Sequence, residues 1–119
     1  MLRPETIERV YLHRAPIDMR RQRNGLAALV QQVIRADPFG ASLFVFTGKR
    51  RDRIKCLWWS RNGFVVWYKV IEGKERFAWP RHLPEEAITI SQQQLEWLLE
   101  GYDVWKMKPH PVLDFSHVS

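Results

Sequence analysis

The sequence predicts an α+β domain: an antiparallel meander of four to five strands, one long helix in the N-terminal half and a short C-terminal helix. Three observations lead there. Apolar residues recur at helical spacing between Met19 and Arg35. Apolar runs suited to strands fill residues 42–70 and are broken by an Asn-Gly pair. Ser91-Gln92-Gln93-Gln94 fits a capping box, with Gln in place of Glu, before a Leu-rich run.

The elements follow in order. Residues 7–13 (IERVYLH) read as a short strand. Pro16-Ile17-Asp18 sets up a helix with Asp18 as its N-cap. Met19, Leu26, Leu29, Val30 and Val33 make its buried stripe. Gly25 weakens the middle, and Asp37-Pro38-Phe39-Gly40 ends it. Ser42–Thr47 is a strand, Gly48–Arg53 a basic turn and Ile54–Trp59 the next strand. Asn62-Gly63 suits a two-residue hairpin loop, because both residues accept positive φ. That loop pairs Arg61 with Phe64 and sets Trp58 opposite Trp67, Leu57 opposite Tyr68 and Cys56 opposite Lys69. Trp58, Trp67, Ile54 and Ile71 then share one sheet face; Trp59, Val66, Leu57, Tyr68 and Val70 share the other. Both faces are apolar, so both should be covered. Arg76–Trp79 and residues 87–90 read as further short strands. A helix runs from the capping box to Glu100, with Leu95, Leu98, Leu99 and Tyr102 on its apolar face and Gly101 at C′. Residues 1–102 thus form one domain, and 103–119 a tail that is draped over it or disordered.

Composition narrows the functional classes. The 119 residues are 45% hydrophobic and 27% charged, which suits one folded domain. Neither a membrane-length apolar run nor a signal peptide is visible, so the expectation is a cytoplasmic protein without membrane contact. The single cysteine, Cys56, excludes an internal disulfide and a multi-cysteine zinc site. The net charge of +6 is lopsided, with +7 in residues 1–60 and −1 in residues 61–119. Thirteen of the nineteen cations are Arg, whose planar fork matches phosphate. A basic half-molecule suggests a polyanionic partner.

Catalytic chemistry finds little support. The candidate carboxylates Asp18, Asp37, Asp52, Asp103 and Asp114 are dispersed at helix ends, in turns and in the tail. A metal-dependent nuclease needs them converging. His13, His82, His110 and His117 lack metal-ligand spacing. Cys56 reads as an inert core residue, and no nucleophile motif or phosphate-binding glycine loop occurs. The expectation is a protein without catalytic residues, metal or cofactor.

Two basic clusters remain. Arg20, Arg21 and Arg23 fall in the first turns of the expected helix, where an anion is favoured and a cation is not. They meet either phosphate or the carboxylates of Asp18, Glu5 and Glu8. Lys49, Arg50, Arg51, Arg53 and Lys55 place five cations in seven residues at a strand-connecting tip, a phosphate-contacting prong or a solvated strand edge. Trp58, Trp59 and Trp67 could stack on bases, fill the core or form a protein interface.

A set of short blocks carries a family resemblance from about Val10 to Tyr102. They are Asp18-Met19-Arg20, Gly25-Leu26, Asp37-Pro38-Phe39, Leu43-Phe44-Val45-Phe46, residues 49–55 (KRRDRIK), Leu57-Trp58-Trp59, Gly63-Phe64, Tyr68-Lys69, Phe77-Ala78-Trp79-Pro80 and Leu98-Leu99-Glu100-Gly101. In order and spacing they resemble the small second-frame accessory protein (TnpB) of bacterial insertion-sequence family sixty-six, which is unrelated to the RNA-guided nuclease of that name. Two positions depart from the family pattern. Lys69-Val70-Ile71 stands where Lys-Arg-Leu is common, and Cys56 stands where an aliphatic residue is usual. The resemblance implies a cytoplasmic bacterial protein that takes part in transposition beside a separate transposase, and it supplies no catalytic residue. The expected function is therefore a non-catalytic transposition accessory that contacts DNA through Arg20, Arg21, Arg23 and the 49–55 prong. The alternative is a module that docks on the transposase or another insertion-sequence protein through its aromatic sheet and Leu-rich C-terminal helix.

Overall fold

The structure, a computed structural model, describes residues 7–107. Its elements are β1 (Arg9–His13), α1 (Arg23–Leu29, continued by a π-helical turn over Val30–Ile34), β2 (Ser42–Thr47), β3 (Arg53–Ser60), β4 (Gly63–Val70), β5 (Ala87–Ile90) and α2 (Gln92–Glu100). The five strands form one sheet in the order β4-β3-β2-β1-β5. The fold class is α+β as read from the sequence, and β2, β3 and β4 form the expected meander. The pairing of β1 differs. It lies between β2 and β5, parallel to β2 (Tyr11 beside Phe44) and antiparallel to β5 (Tyr11 beside Thr89). A parallel neighbour needs a crossover, and α1 supplies it.

Alternation along the strands divides the apolar residues between two faces. On one, Phe44, Phe46 and Leu57 pack against Leu26 and Val30, with Tyr11 stacked on Phe44 at 5.7 Å between ring centroids. On the other, Val10, Leu12, Leu43, Val45, Ile54, Cys56 and Trp58 meet Leu95, Leu98 and Leu99 of α2, together with Phe77, Trp79 and Val104. Over the central strands both faces are covered as expected, but Val65, Tyr68 and Val70 on the outer strand β4 remain exposed. Each fully buried Leu or Phe contributes about 1.5–3 kcal/mol relative to exposure, so both layers matter to stability.

Four local expectations are corrected. The first helix begins at Arg23 with Gln22 as N-cap, not at Met19. The Asp18 carboxylate instead accepts the Arg20 backbone N–H, and the Arg21 N–H donates to the Asp18 carbonyl, closing a tight turn. Arg20 and Arg21 therefore precede the helix. The hairpin loop is Arg61-Asn62, with Ser60 opposite Gly63, so each β3 residue pairs two positions earlier on β4 than expected. Trp58 faces Val65 and Trp67 faces Cys56, while both indoles stay on the expected face. This register avoids two indoles side by side and brings Trp59 opposite Phe64, edge to face at 5.0 Å. Such a pair contributes about 0.5–1.5 kcal/mol, comparable to the roughly 1–2 kcal/mol cost of a non-glycine left-handed residue, here Arg61 at φ 52°. Arg61→Gly is accordingly expected to raise stability by about 0.5–1 kcal/mol in urea unfolding.

Residues 76–79 form no strand. Phe77 and Trp79 are buried, yet the segment is tied by isolated bonds rather than a ladder, from the Phe77 N–H to the Arg51 carbonyl and from the Trp79 indole to the His13 and Arg14 carbonyls. The Leu face expected of α2 is turned inward, so that helix offers no leucine surface for docking. Its capping box and its left-handed Gly101 (φ 102°) match the sequence reading. Beyond α2, Val104 is buried and the Trp105 indole donates to the Ala78 carbonyl. Asp114, His110, His117 and the rest of the tail from 108 onward lie outside the described residues.

His13 is 4% exposed. Its Nδ1–H donates to the Ala15 carbonyl at 2.8 Å, and its Nε2 has no partner among the described residues. Burial pushes the imidazole below its ordinary pKa, aided by Arg14 and Arg21 and opposed by the Ala15 bond and Glu86. A lowered folded-state value means the unfolded chain takes up the proton first. Stability should therefore be full above about pH 6.5 and fall as the pH drops below it. Thermal melts across that window should show this loss in the parent and a flatter profile in His13→Asn.

Candidate nucleic-acid interface

The turn joining β2 to β3 and the segment entering α1 are far apart in sequence but adjacent in space. Three contacts bring them together. The Ile17 N–H donates to the Thr47 carbonyl at 2.9 Å. The Lys55 ammonium reaches from β3 to the carbonyls of Met19 (2.7 Å) and Arg21 (2.8 Å). At Gly48 a Cβ would come within 2.7 Å of Met19 Cγ, so glycine permits the close approach of the two segments. Residues 16–20 and 48–53 then wall an open groove of about 770 Å³.

The turn itself is anchored from below. Thr47, buried, donates its Oγ1–H to the Arg53 carbonyl at 2.7 Å. The Asp52 and Arg51 carbonyls accept from the Ile71 and Phe77 amides. Arg51 is held in the left-handed region at φ 56°. A prong on loose backbone would have to be ordered on binding; this one is already positioned by the fold.

Each expected cation has a distinct situation. Lys49 and Arg50 are exposed and make no ion pair or hydrogen bond among the described residues. Arg51 is half-buried, and Arg53 approaches Asp52 at 3.8 Å. Arg20 forks onto Asp18, with Nη2 to Oδ2 at 2.7 Å and Nε to Oδ1 at 3.0 Å, holding that carboxyl well below the usual carboxylate range. Arg21 and Arg23 are exposed, and the Arg21 stem lies against Gly25. Lys55 is not part of an exposed prong: its ammonium is occupied by carbonyls, and partial burial lowers its pKa, with Asp18 acting against.

Of the expected site residues, Arg20 on one wall and Lys49, Arg50 and Arg53 on the other line this groove, while Arg21, Arg23, Arg51 and Lys55 are not part of its lining. Two roles were not visible in the sequence: that of Lys55, expected as a prong cation, and that of Gly48. Lys55 serves as an internal clamp, and Gly48 supplies the close approach; neither role leaves a local signal. Asp18 and Asp52 also line the groove. Among the described residues, no three of His, Cys, Asp and Glu are grouped to hold a metal. Asp37 and Asp103 are used in turns, accepting from the Phe39 and Trp105 amides. Cys56 is fully buried on the core face, and burial pushes its thiol up, away from the reactive thiolate.

The tryptophans separate. Trp58 is core at 5% exposure, and Trp67 packs half-buried against the same layer. Trp59 joins Phe39 and Phe64 in a cluster with centroid distances of 5.0–5.3 Å, in which Phe39 is 54% exposed. This cluster lies near the hairpin loop, at the opposite end of β3 from the basic turn. Among the described residues, no helix is long and apolar enough to cross a membrane.

Comparison with known proteins agrees with the residue blocks. The family described as IS66 Orf2-like protein matches residues 8–109. Two proteins of Sinorhizobium fredii (strain NBRC 101917 / NGR234) are similar over nearly the whole chain. Uncharacterized protein y4jC is 34% identical over 112 residues, 94% of this chain and 94% of its own. Uncharacterized protein y4hO is 36% identical over 103 residues, 87% of this chain and 84% of its own. No solved structure matches. With most of its length covered by the family and by these relatives, the chain belongs to the IS66 Orf2-like proteins, a family tied to insertion-sequence transposition.

Proposed function

We propose that this protein is a non-catalytic accessory of insertion-sequence transposition that holds DNA by its phosphates in the groove between residues 16–20 and 48–53. The observation that carries this reading is the juxtaposition of Lys49 and Arg50, free of partners among the described residues, with the segment bearing Arg20 and Arg21. Guanidinium and ammonium groups on a preordered turn suit phosphate oxygens. Such contacts position a complex on the duplex without reading its bases. Arg20 is shared: Asp18 orients its fork, and a phosphate would compete with that carboxylate for the exposed guanidinium. Fluorescence anisotropy with the element's terminal DNA and with random duplex, over a salt series, tests the reading. Comparable affinity for both, falling steeply with salt, is expected. No binding at low salt would refute it.

A second reading, docking on the transposase or another insertion-sequence protein, is favoured by the Phe39–Trp59–Phe64 cluster. An exposed aromatic ring supported by two others is a common form of interface anchor. Co-purification with the transposase, lost on Phe39→Ser while DNA binding is kept, would support it.

A further inference from the structure

The outer edge of β4 is left open among the described residues, since β4 ends the sheet order. Its backbone polarity can be followed from the hairpin. The Ile71 N–H donates inward to the Asp52 carbonyl, and pairs alternate along an antiparallel ladder. The odd-numbered residues of β4 therefore bond to β3, while Phe64, Val66, Tyr68 and Val70 turn their N–H and C=O groups outward. Natural edges of this length are blunted by charge, proline or a bulge. Here the eight residues GFVVWYKV contain one charge, and the Lys69 ammonium is drawn away to the Leu99 carbonyl at 2.7 Å. Val65, Tyr68 and Val70 are 36%, 46% and 37% exposed.

We propose that this edge pairs with the same edge of a second copy of the chain, antiparallel about a two-fold axis at Val66, making one continuous ten-stranded sheet. Three features select a second copy. The other outer strand, β5, has only four residues, and joining β4 to β5 would be head-to-tail and leave edges open, whereas β4 against β4 closes. With Val66 on the axis, Phe64 lies across from Tyr68 and Val65 across from Trp67, each twice, giving aromatic and aromatic–aliphatic cross-strand pairs. Charges also complement: Arg61 at the hairpin loop of one copy arrives beside Glu72, just past β4, of the other. Both are exposed and without an ion pair among the described residues. The basic turns, at the Val70 end of each β4, come to opposite ends of the joint sheet, so two chains of charge +6 meet without apposing them.

Sedimentation equilibrium of the full chain at tens of micromolar should give about twice the 14.2 kDa chain mass. Tyr68→Pro removes an outward N–H while sparing the β3 ladder, and is expected to give a monomer with unchanged circular dichroism. If that variant does not fold, Val65→Lys with Val70→Lys serves the same purpose, by placing charge on the edge. Val66→Cys should form a disulfide-linked dimer under mild oxidation, because facing Cα atoms in such a pair lie about 5.5 Å apart. A parent that stays monomeric, or a dimer unaffected by both edge variants, overturns the proposal. A dimer in which Val66→Cys does not cross-link overturns the axis.

Discussion

Replacing Lys49, Arg50, Arg51 and Arg53 together with serine should flatten the salt dependence of DNA binding by about two to four log–log units. Each phosphate neutralised on duplex DNA contributes roughly −0.9 to that slope through counterion release. The lower figure corresponds to Lys49 and Arg50 alone, since Arg51 is half-buried and Arg53 leans toward Asp52. A loss of two units means that a fourfold rise in salt weakens the parent about 16-fold more than the variant. Stability should stay within roughly ±0.5 kcal/mol. The bonds anchoring the turn use the Arg51, Asp52 and Arg53 carbonyls, which serine at 51 and 53 retains. An unchanged slope in the folded variant would move DNA contact away from the turn, and the readout is the anisotropy titration repeated at several salt concentrations.

Lys55→Met should have the second large effect, and on two measurements at once. Its ammonium binds the Met19 and Arg21 carbonyls, so it cannot also serve as a free phosphate contact. If Lys55 acted as one more prong cation, its loss would cost about 0.9 of slope and no stability. Acting as a clamp, its loss should reduce stability by about 1–3 kcal/mol, since hydrogen bonds to charged groups are the stronger class and the site is only partly buried. It should also free the segment carrying Arg20 and Arg21, so the slope falls by more than the 0.9 or so of a single contact. Urea unfolding and the salt series together separate these outcomes. Lost stability with an unchanged slope would show that the two arginines do not meet phosphate.

Local chemistry sufficed for much of this protein. The Ser91–Gln94 capping box and Gly101 bound α2 because their bonds close within three or four residues. Strict alternation placed Leu57 and Trp58 on opposite faces, and that division survived a two-residue slip in register because the side-chain period is two. The two basic clusters were legible as charge. What the pattern could not supply were choices made by distant groups. The start of α1 moved to Arg23 where the Lys55 ammonium, from a strand more than thirty positions later, occupies the Met19 and Arg21 carbonyls that a longer helix would have used. The hairpin loop moved to Arg61-Asn62, where the packing of Trp59 on Phe64 and Phe39 offsets a local preference for Asn-Gly of about 1–2 kcal/mol. β1 paired parallel with β2 because α1 carries the chain back across the sheet, and its other edge took β5, from the far end of the chain, antiparallel. The groove itself belongs wholly to this second class: sequence determines which residues carry charge, and only long-range hydrogen bonds and the glycine contact at Gly48 decide which charges share a surface.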